Sequence, residues 1–268
     1  MLIARYRPLA PARRGAAADP ALEAPRYGYV DGESIGEIKG EIFGDFVRGG
    51  RVAALSEVTL LPPCQPSKII TVGPNYPERL REMGVPAPNL PLIYLKAPSS
   101  LCGPGEAIRL PPQAQNVQAG VELAVVIGQR ARWVTPETAL NYVLGYTCAN
   151  DIIAYDTAEQ DQAWTRGSGF DTFGPLGPCI ATGLNPHALM MTCAINGVTR
   201  QMGSTHDLLF TVPQVLAFVT SAMTLLPGDV ILMGTPGGST PLHPGDSVEV
   251  TIESIGSLKN PVVAETGQ

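Results

Sequence analysis

The residues best placed to do chemistry are two carboxylates set into apolar runs. Glu122 stands at the entrance of residues 121–128, Val-Glu-Leu-Ala-Val-Val-Ile-Gly, which is apolar on both faces and closed by a glycine. Such a run reads as a central strand, and an acid within it must be compensated by a metal, a cation or hydrogen bonds. Asp151 closes a second apolar run, residues 145–151. Two strand-end acids that converge form the skeleton of a hard-cation site. Arg79 and Glu82 lie three apart on a charged segment. Taken alone, that spacing reads as a surface ion pair worth roughly a few tenths of a kcal/mol.

Other polar residues have plainer readings. Lys96 ends the apolar run 91–96, a pattern typical of a lysine whose stem lies on apolar surface while its ammonium reaches water. Thr235 sits in a Gly-Thr-Pro turn, where a hydroxyl stabilises the backbone. Asp171 follows Phe170 in a glycine-rich stretch, where it either ties the loop or meets a ligand. His187, His206 and His243 fall in loop-like settings, and the adjacency of His206 and Asp207 does not make a dyad.

The elements that must position these groups follow in order. Residues 8–25, rich in Ala and Pro, read as a loop or flexible insertion. Residues 27–35 read as a hairpin around Asp31-Gly32, and Ile42, Phe43, Phe46 and Val47 fall at helical spacing. Prolines near residues 60–66 mark a boundary, so the division expected is a small N-terminal arm over 1–60 and a catalytic-type domain over 61–268. A strand over 67–73 precedes a short charged helix over 75–84, with Asn75 as its cap, Pro77 in its first turn and Gly84 at its end. That helix reads either as a lid or as a solvated connector.

Strands are expected over 91–96, 107–110, 121–128, 190–195, 230–233 and 247–252. Helices are expected from Thr135, within 152–164 and over 213–222, with a glycine-rich loop over 167–178. Many short strands with Gly and Pro punctuation and few helices predict a mainly β fold with some α, an α+β class.

Composition narrows the function classes. The chain has 268 residues, 16% of them charged, and no apolar run of membrane-spanning length. A net charge of -6 argues against nucleic acid or an anionic membrane as partner and points to a small molecule. Five widely spaced cysteines, odd in number and without a Cys-x-x-Cys pair, suit neither a disulfide framework nor a zinc site. They read as buried thiols of a reducing compartment, and with no apolar signal run after the first arginines the expected location is the cytoplasm.

From about Leu61 onward the chain resembles the fumarylacetoacetate hydrolase superfamily. The resemblance rests on ordered blocks: Pro66-Ser67-Lys68-Ile69-Ile70, Asn75-Tyr76, the run from Glu122 to Gly128, the run ending at Asp151, and Phe170-Asp171-Thr172-Phe173-Gly174-Pro175-Leu176-Gly177-Pro178. Further on come Asn196-Gly197 with Arg200-Gln201, Leu226-Pro227-Gly228-Asp229, Gly234-Thr235-Pro236 and Pro244-Gly245-Asp246. The resemblance implies a mixed β-sandwich roll, usually a homodimer. It also implies C-C hydrolysis, decarboxylation, hydration or keto-enol isomerisation of oxo or diketo acids around Mg2+, Mn2+ or Ca2+. Carried over residue by residue, it places Glu122 and Asp151 as metal ligands, Lys96, Ser168 and Thr235 toward substrate, and Arg79 and Glu82 on a lid helix.

The match breaks where the family does its chemistry. The first member of the implied Glu-x-Glu pair falls on Gly120, with a bulge there as one alternative, and no acid lies in residues 111–121 to replace it. The loop lysine falls on Ser168, the lid histidine on Arg79, and an Arg and a Gln beyond the Asp fall on Tyr155 and Ala158. Arginine is not a general base. Three readings stay open: an oxo-acid enzyme with a reduced Mg2+ or Mn2+ site on Glu122 and Asp151; a metal-independent isomerase, cyclase or lyase using Tyr155, Arg79 or Glu122 as acid, base or anchor; or a non-catalytic partner subunit. The candidate catalytic residues are Glu82, Arg79, Tyr155 and Glu122.

Overall fold

The run that carries Glu122 is the strand Val121–Ile127, buried along its whole length because hydrophobic cores lie on both of its faces. Val121, Leu123, Val125 and Ile127 enter the larger core, and Ala124 and Val126 a second one. Fully burying one such aliphatic side chain stabilises the fold by roughly 1.5–3 kcal/mol. Strand side chains alternate, so Glu122 shares the face of Ala124 and Val126.

The computed structural model describes residues 1–9 and 24–266, so most of the insertion expected over 8–25 lies outside the described residues. Val121–Ile127 is interior to a 12-stranded sheet. On one side lie Val143–Asn150, Gly174–Ala181, Leu2–Pro8, Arg26–Asp31, Ser34–Gly40 and Phe46–Ala54. On the other lie Val230–Leu232, Ile69–Val72 and the edge strand Ile93–Lys96. The N-terminal strands continue this same sheet, with Leu2 opposite Ala181. A five-stranded sheet, ordered Val198–Ser204, Met190–Ile195, Ser247–Ile252, Gly256–Ala264 and Ile108–Leu110, supplies Met191, Cys193, Val248 and Val250 to the larger core. The fold is thus mainly β, with two principal sheets closing on one core. A three-stranded sheet joins Ile153–Ala154, Val117–Ala119 and Thr240–Pro241.

Among the described residues four α-helices complete it: α1 (Pro77–Met83), α2 (Tyr155–Asp161), α3 (Trp164–Gly169) and α4 (Val212–Ala222). Helix α4 begins at a reciprocal Thr211–Gln214 capping box and packs Val212, Val215, Leu216 and Val219 into the larger core. Helix α1 ends as expected at Gly84, whose φ of 66° is the left-handed cap conformation that favours glycine. Among the described residues no helix is long and apolar enough to cross a membrane.

Several expectations are corrected. The segment at 42–47 is no helix: Gly40 pairs with Phe46 and Lys39 with Val47, closing a hairpin through a turn at 41–45. The helical spacing there is coincidental, and Ile42, Phe43 and Phe46 pack into the second core instead. The threonine at 135 opens a turn, and only a short 3-10 segment, Ala139–Tyr142, follows. The glycine-rich stretch 167–178 is not one loop, since α3 takes its start and Gly174–Ala181 its end. Asn75 is not the cap of α1, a position held by Tyr76. Its side chain accepts from Phe210 N–H at 2.8 Å and donates to the carbonyls of Phe210 and Met233 at 3.1 and 2.9 Å, anchoring the approach to α1.

A third buried acid, Asp229, is fully satisfied. It accepts from the Ser67 N–H and hydroxyl at 3.0 and 2.6 Å, from Leu226 N–H at 2.7 Å, and pairs with Lys68, tying the strand Ile69–Val72 to Val230–Leu232. All five cysteines are buried and unpaired. Burial pushes the thiols of Cys64, Cys102, Cys179 and Cys193 up to about 12, which leaves them unreactive at neutral pH.

Candidate active site

Where Val121–Ile127 and Val143–Asn150 meet α1, α2 and α3, a pocket opens with Glu122 and Asp151 at its base. Both acids are almost wholly buried. Glu122 Oε2 accepts the Gly234 N–H at 2.7 Å. Burial, and then the negative charge of Asp151, push the Glu122 carboxyl well above the usual carboxylate range, with the Gly234 N–H and Lys96 pulling the other way. Glu122 therefore holds its proton more tightly than an exposed glutamate does.

Asp151 is served differently. Lys96 Nζ stands 2.8 Å from Asp151 Oδ1, and the Tyr94 hydroxyl donates to Oδ2 at 3.2 Å. Lys96 does not reach water, which corrects the surface-stem reading. Its side chain is 0% exposed, and Nζ donates to the carbonyls of Ile152, Ser168 and Phe173 at 3.1, 2.6 and 3.0 Å. An ammonium has three N–H groups, so this one is saturated by the backbone while its charge neutralises Asp151. Ser168 is also buried; it supports the lysine through its carbonyl, and its side chain does not line the pocket. Neither Lys96 nor Ser168 faces the space a substrate would fill.

The wall opposite is cationic and aromatic. Arg79 donates from Nη2 to the Tyr155 hydroxyl at 2.7 Å and from Nη1 to Glu82 Oε2 at 3.0 Å, and its guanidinium lies 5.4 Å from the centre of the Tyr155 ring. With its side chain only 12% exposed, Arg79 is half of no surface ion pair; it lines the pocket. Glu82 does not line it. Its Oε1 accepts the Gly238 N–H at 2.7 Å, so Glu82 clamps α1 to the turn after Thr235 and aims Arg79 inward, a positioning task in place of the catalytic one expected. Burial raises the Tyr155 phenol, and Arg79 draws it back. The Trp164 ring stacks on Tyr94 at 5.7 Å and 22°, and meets Tyr155 edge-on at 5.9 Å.

Thr235 lines the pocket at the level of Gly120. Its Oγ1 accepts from Gln201 Nε2 at 3.0 Å, and Gln201 in turn donates to the Pro236 carbonyl and accepts Val121 N–H, both at 3.0 Å. A Cβ built on Gly120 would come within 2.8 Å of Thr235 Oγ1. Gly120 lies in no bulge of the Val121–Ile127 ladder, whose one register shift is at Val126/Ile127. The space beside Gly120 is thus taken by a hydrogen-bonded threonine.

The donor set does not fit the three-carboxylate cage that the resemblance implies. Among the described residues no group of three His, Cys, Asp or Glu converges anywhere. Of the two acids present, Asp151 is already paired with an ammonium and a phenol, and Glu122 Oε2 is held by the Gly234 N–H.

The sequence does not single out Tyr94 or Trp164, and it marks Gln201 only as part of a family block. Tyr94 was within reach, because on a strand it must share the face of Lys96 two residues on. Asp171 and the three histidines are exposed and lie outside this pocket.

Comparison with known proteins settles the ancestry. The fumarylacetoacetate (FAA) hydrolase C-terminal family profile matches residues 68–263, and an Rv2993c-like N-terminal profile matches 22–63. The chain belongs to the fumarylacetoacetate hydrolase family. It is 41% identical over 221 residues to the human mitochondrial oxaloacetate tautomerase FAHD2A, covering 78% of this chain and 70% of that protein. The 5-carboxymethyl-2-hydroxymuconate delta-isomerase of Mycobacterium smegmatis superposes with a TM-score of 0.87 at 38% identity, over 99% of this chain and 100% of that one. A fumarylacetoacetate hydrolase from Exiguobacterium antarcticum superposes at 0.83 with 31% identity, over the same shares. The relatives of this chain thus include a tautomerase matched over most of its length and an isomerase and a hydrolase matched almost end to end.

Proposed function

We propose that this chain is a fumarylacetoacetate hydrolase-family isomerase that moves a proton between carbon and oxygen in a small oxo acid, a keto-enol tautomerisation, without a resident metal. The observation that carries this reading is the Arg79–Tyr155 hydrogen bond set over the Glu122–Asp151 pair in one pocket. Arg79 uses two of its five N–H groups on Tyr155 and Glu82, leaving donors for a substrate carboxylate. Because Arg79 occupies a lone pair of the Tyr155 oxygen, the phenolic proton is free to bond the substrate's carbonyl oxygen, where negative charge develops.

From keto to enol, the proton leaving carbon passes to the Asp151 carboxylate, and the protonated Glu122 supplies the proton to oxygen. The acid pair begins and ends with one proton, and exchange between the two carboxyls resets it. Hydrolysis is less well served. It requires a base to activate water, and the group α1 presents to the pocket is a guanidinium. The tautomerase and isomerase names of the relatives support the same choice.

The test is loss of enol absorbance with a panel of 2-oxo acids, in the presence of EDTA. Turnover that survives chelation and falls in Tyr155→Phe and Glu122→Gln supports the reading. No turnover with any oxo acid, together with a stable complex with another chain, would replace it with the partner-subunit reading.

A further inference from the structure

The charges and rings around this pocket specify a ligand more narrowly than "oxo acid". Among the described residues that line it, Arg79 is the only cation. The nearest other one, Lys96, has all three of its N–H groups on backbone carbonyls and its charge on Asp151. A ligand carboxylate bound at Arg79 is matched. A second carboxylate has no cation to meet: the base of the pocket holds Glu122 and Asp151, the hydroxyls of Tyr155, Thr235 and Ser239 are neutral, and much of the remaining wall, including Val72, Met83, Ile153 and Trp164, is apolar. Removing an ionised carboxylate from water against such a wall costs several kcal/mol unless it is paired.

The same wall suits a flat apolar group. Trp164 is half-buried on the short helix α3, backed on one face by Tyr94, and its neighbours Met83 and Ile153 are apolar. Offset stacking on such a ring adds about 0.5–1.5 kcal/mol beyond area burial. Trp164 lines the pocket, so a ligand that fills it changes the surroundings of the indole.

Resting on the tautomerase reading of this pocket, we infer that its substrate class is a monoanionic oxo acid or enol bearing a planar aromatic or conjugated arm, with the carboxylate on Arg79 and the arm against Trp164. Dicarboxylates are discriminated against by the absence of a second cation.

Binding is tested apart from turnover with two hydroxy acids that cannot tautomerise, phenyllactate and malate. Calorimetry gives both affinities, and Trp164 fluorescence is followed in a Trp133→Phe background, since Trp133 is 68% exposed and stacked under Arg132. Phenyllactate is expected to bind at least about tenfold more tightly than malate and to shift Trp164 emission. Arg79→Gln should weaken phenyllactate, and both Trp164→Ala and the milder Trp164→Leu should erase the preference for phenyllactate over malate. Malate binding as tightly as phenyllactate, a preference that persists without Trp164, or no binding of either at millimolar concentration would overturn the inference. If the preference holds but phenylpyruvate is not tautomerised, the tautomerase reading fails and the ligand class stands.

Discussion

Lys96 Nζ and Asp151 Oδ1 stand 2.8 Å apart with 0% and 3% of their side chains exposed, so the site is built on an ion pair sealed inside the protein. Removing one partner strands the other charge. Lys96→Met is expected to destabilise the fold by about 3–5 kcal/mol and Asp151→Asn by less, because the amide can still accept from the lysine. Urea unfolding followed by circular dichroism checks this. A loss under about 1 kcal/mol for Lys96→Met would mean that the pair is solvated.

Tyr155→Phe removes one hydroxyl and leaves Arg79 and the ring contacts in place. Turnover of an oxo acid is expected to fall roughly 10²–10³-fold in kcat with little change in KM, as for the loss of one oxyanion donor. Arg79→Lys should raise KM instead, since an ammonium does not reproduce the fork that reaches both Tyr155 and Glu82. Steady-state kinetics on the two variants separates these effects.

Glu122 gives the protein a pH signature. Its folded carboxyl holds a proton to higher pH than the ordinary value of 4.5. Its contribution to stability is therefore complete below that value and declines as pH rises toward the folded one. Unfolding free energies in EDTA should show wild type losing ground to Glu122→Gln between pH 5 and pH 8, within the range of about pH 5–8 where such proteins are most stable. A difference that stays flat across that window would show that Glu122 ionises normally.

Millimolar Mg2+ or Mn2+ is expected to leave Tm within about 1 °C of the EDTA value, since a ligand that binds the folded state must raise it. A rise of several degrees that disappears in Asp151→Ala would establish a metal site despite the missing carboxylate.

Gly120→Ala tests what closed that position. Its methyl would press on Thr235 Oγ1, and destabilisation of about 1–3 kcal/mol is expected, relieved in part by Thr235→Ala. Thermal unfolding of the single and double variants measures the coupling, and additive effects would show that the two residues do not meet.

Much of this architecture could be read along the chain. The strand around Glu122 was legible because it is apolar on every residue, and α1 because Pro77 and Gly84 bracket it. The ordered blocks from Pro66 to Asp246 pointed to the family. Strands such as Val198–Ser204 and Gly256–Ala264 were not legible, because edge and half-exposed strands carry little apolar signal of their own.

Sequence alone thus determined the family and the mainly β class, and it marked Glu122 and Asp151 as acids able to converge. Only the tertiary structure decided what each polar group does. Lys96 looked like a lysine reaching for water, and it became a buried cation because three carbonyls from distant segments converge on it. Arg79 looked like half of a surface pair, and it lines the pocket because Glu82 is held by the Gly238 N–H across the fold. Local pattern reports the periodicity of one segment; a charge takes its meaning from partners many residues away, and folding alone brings those together.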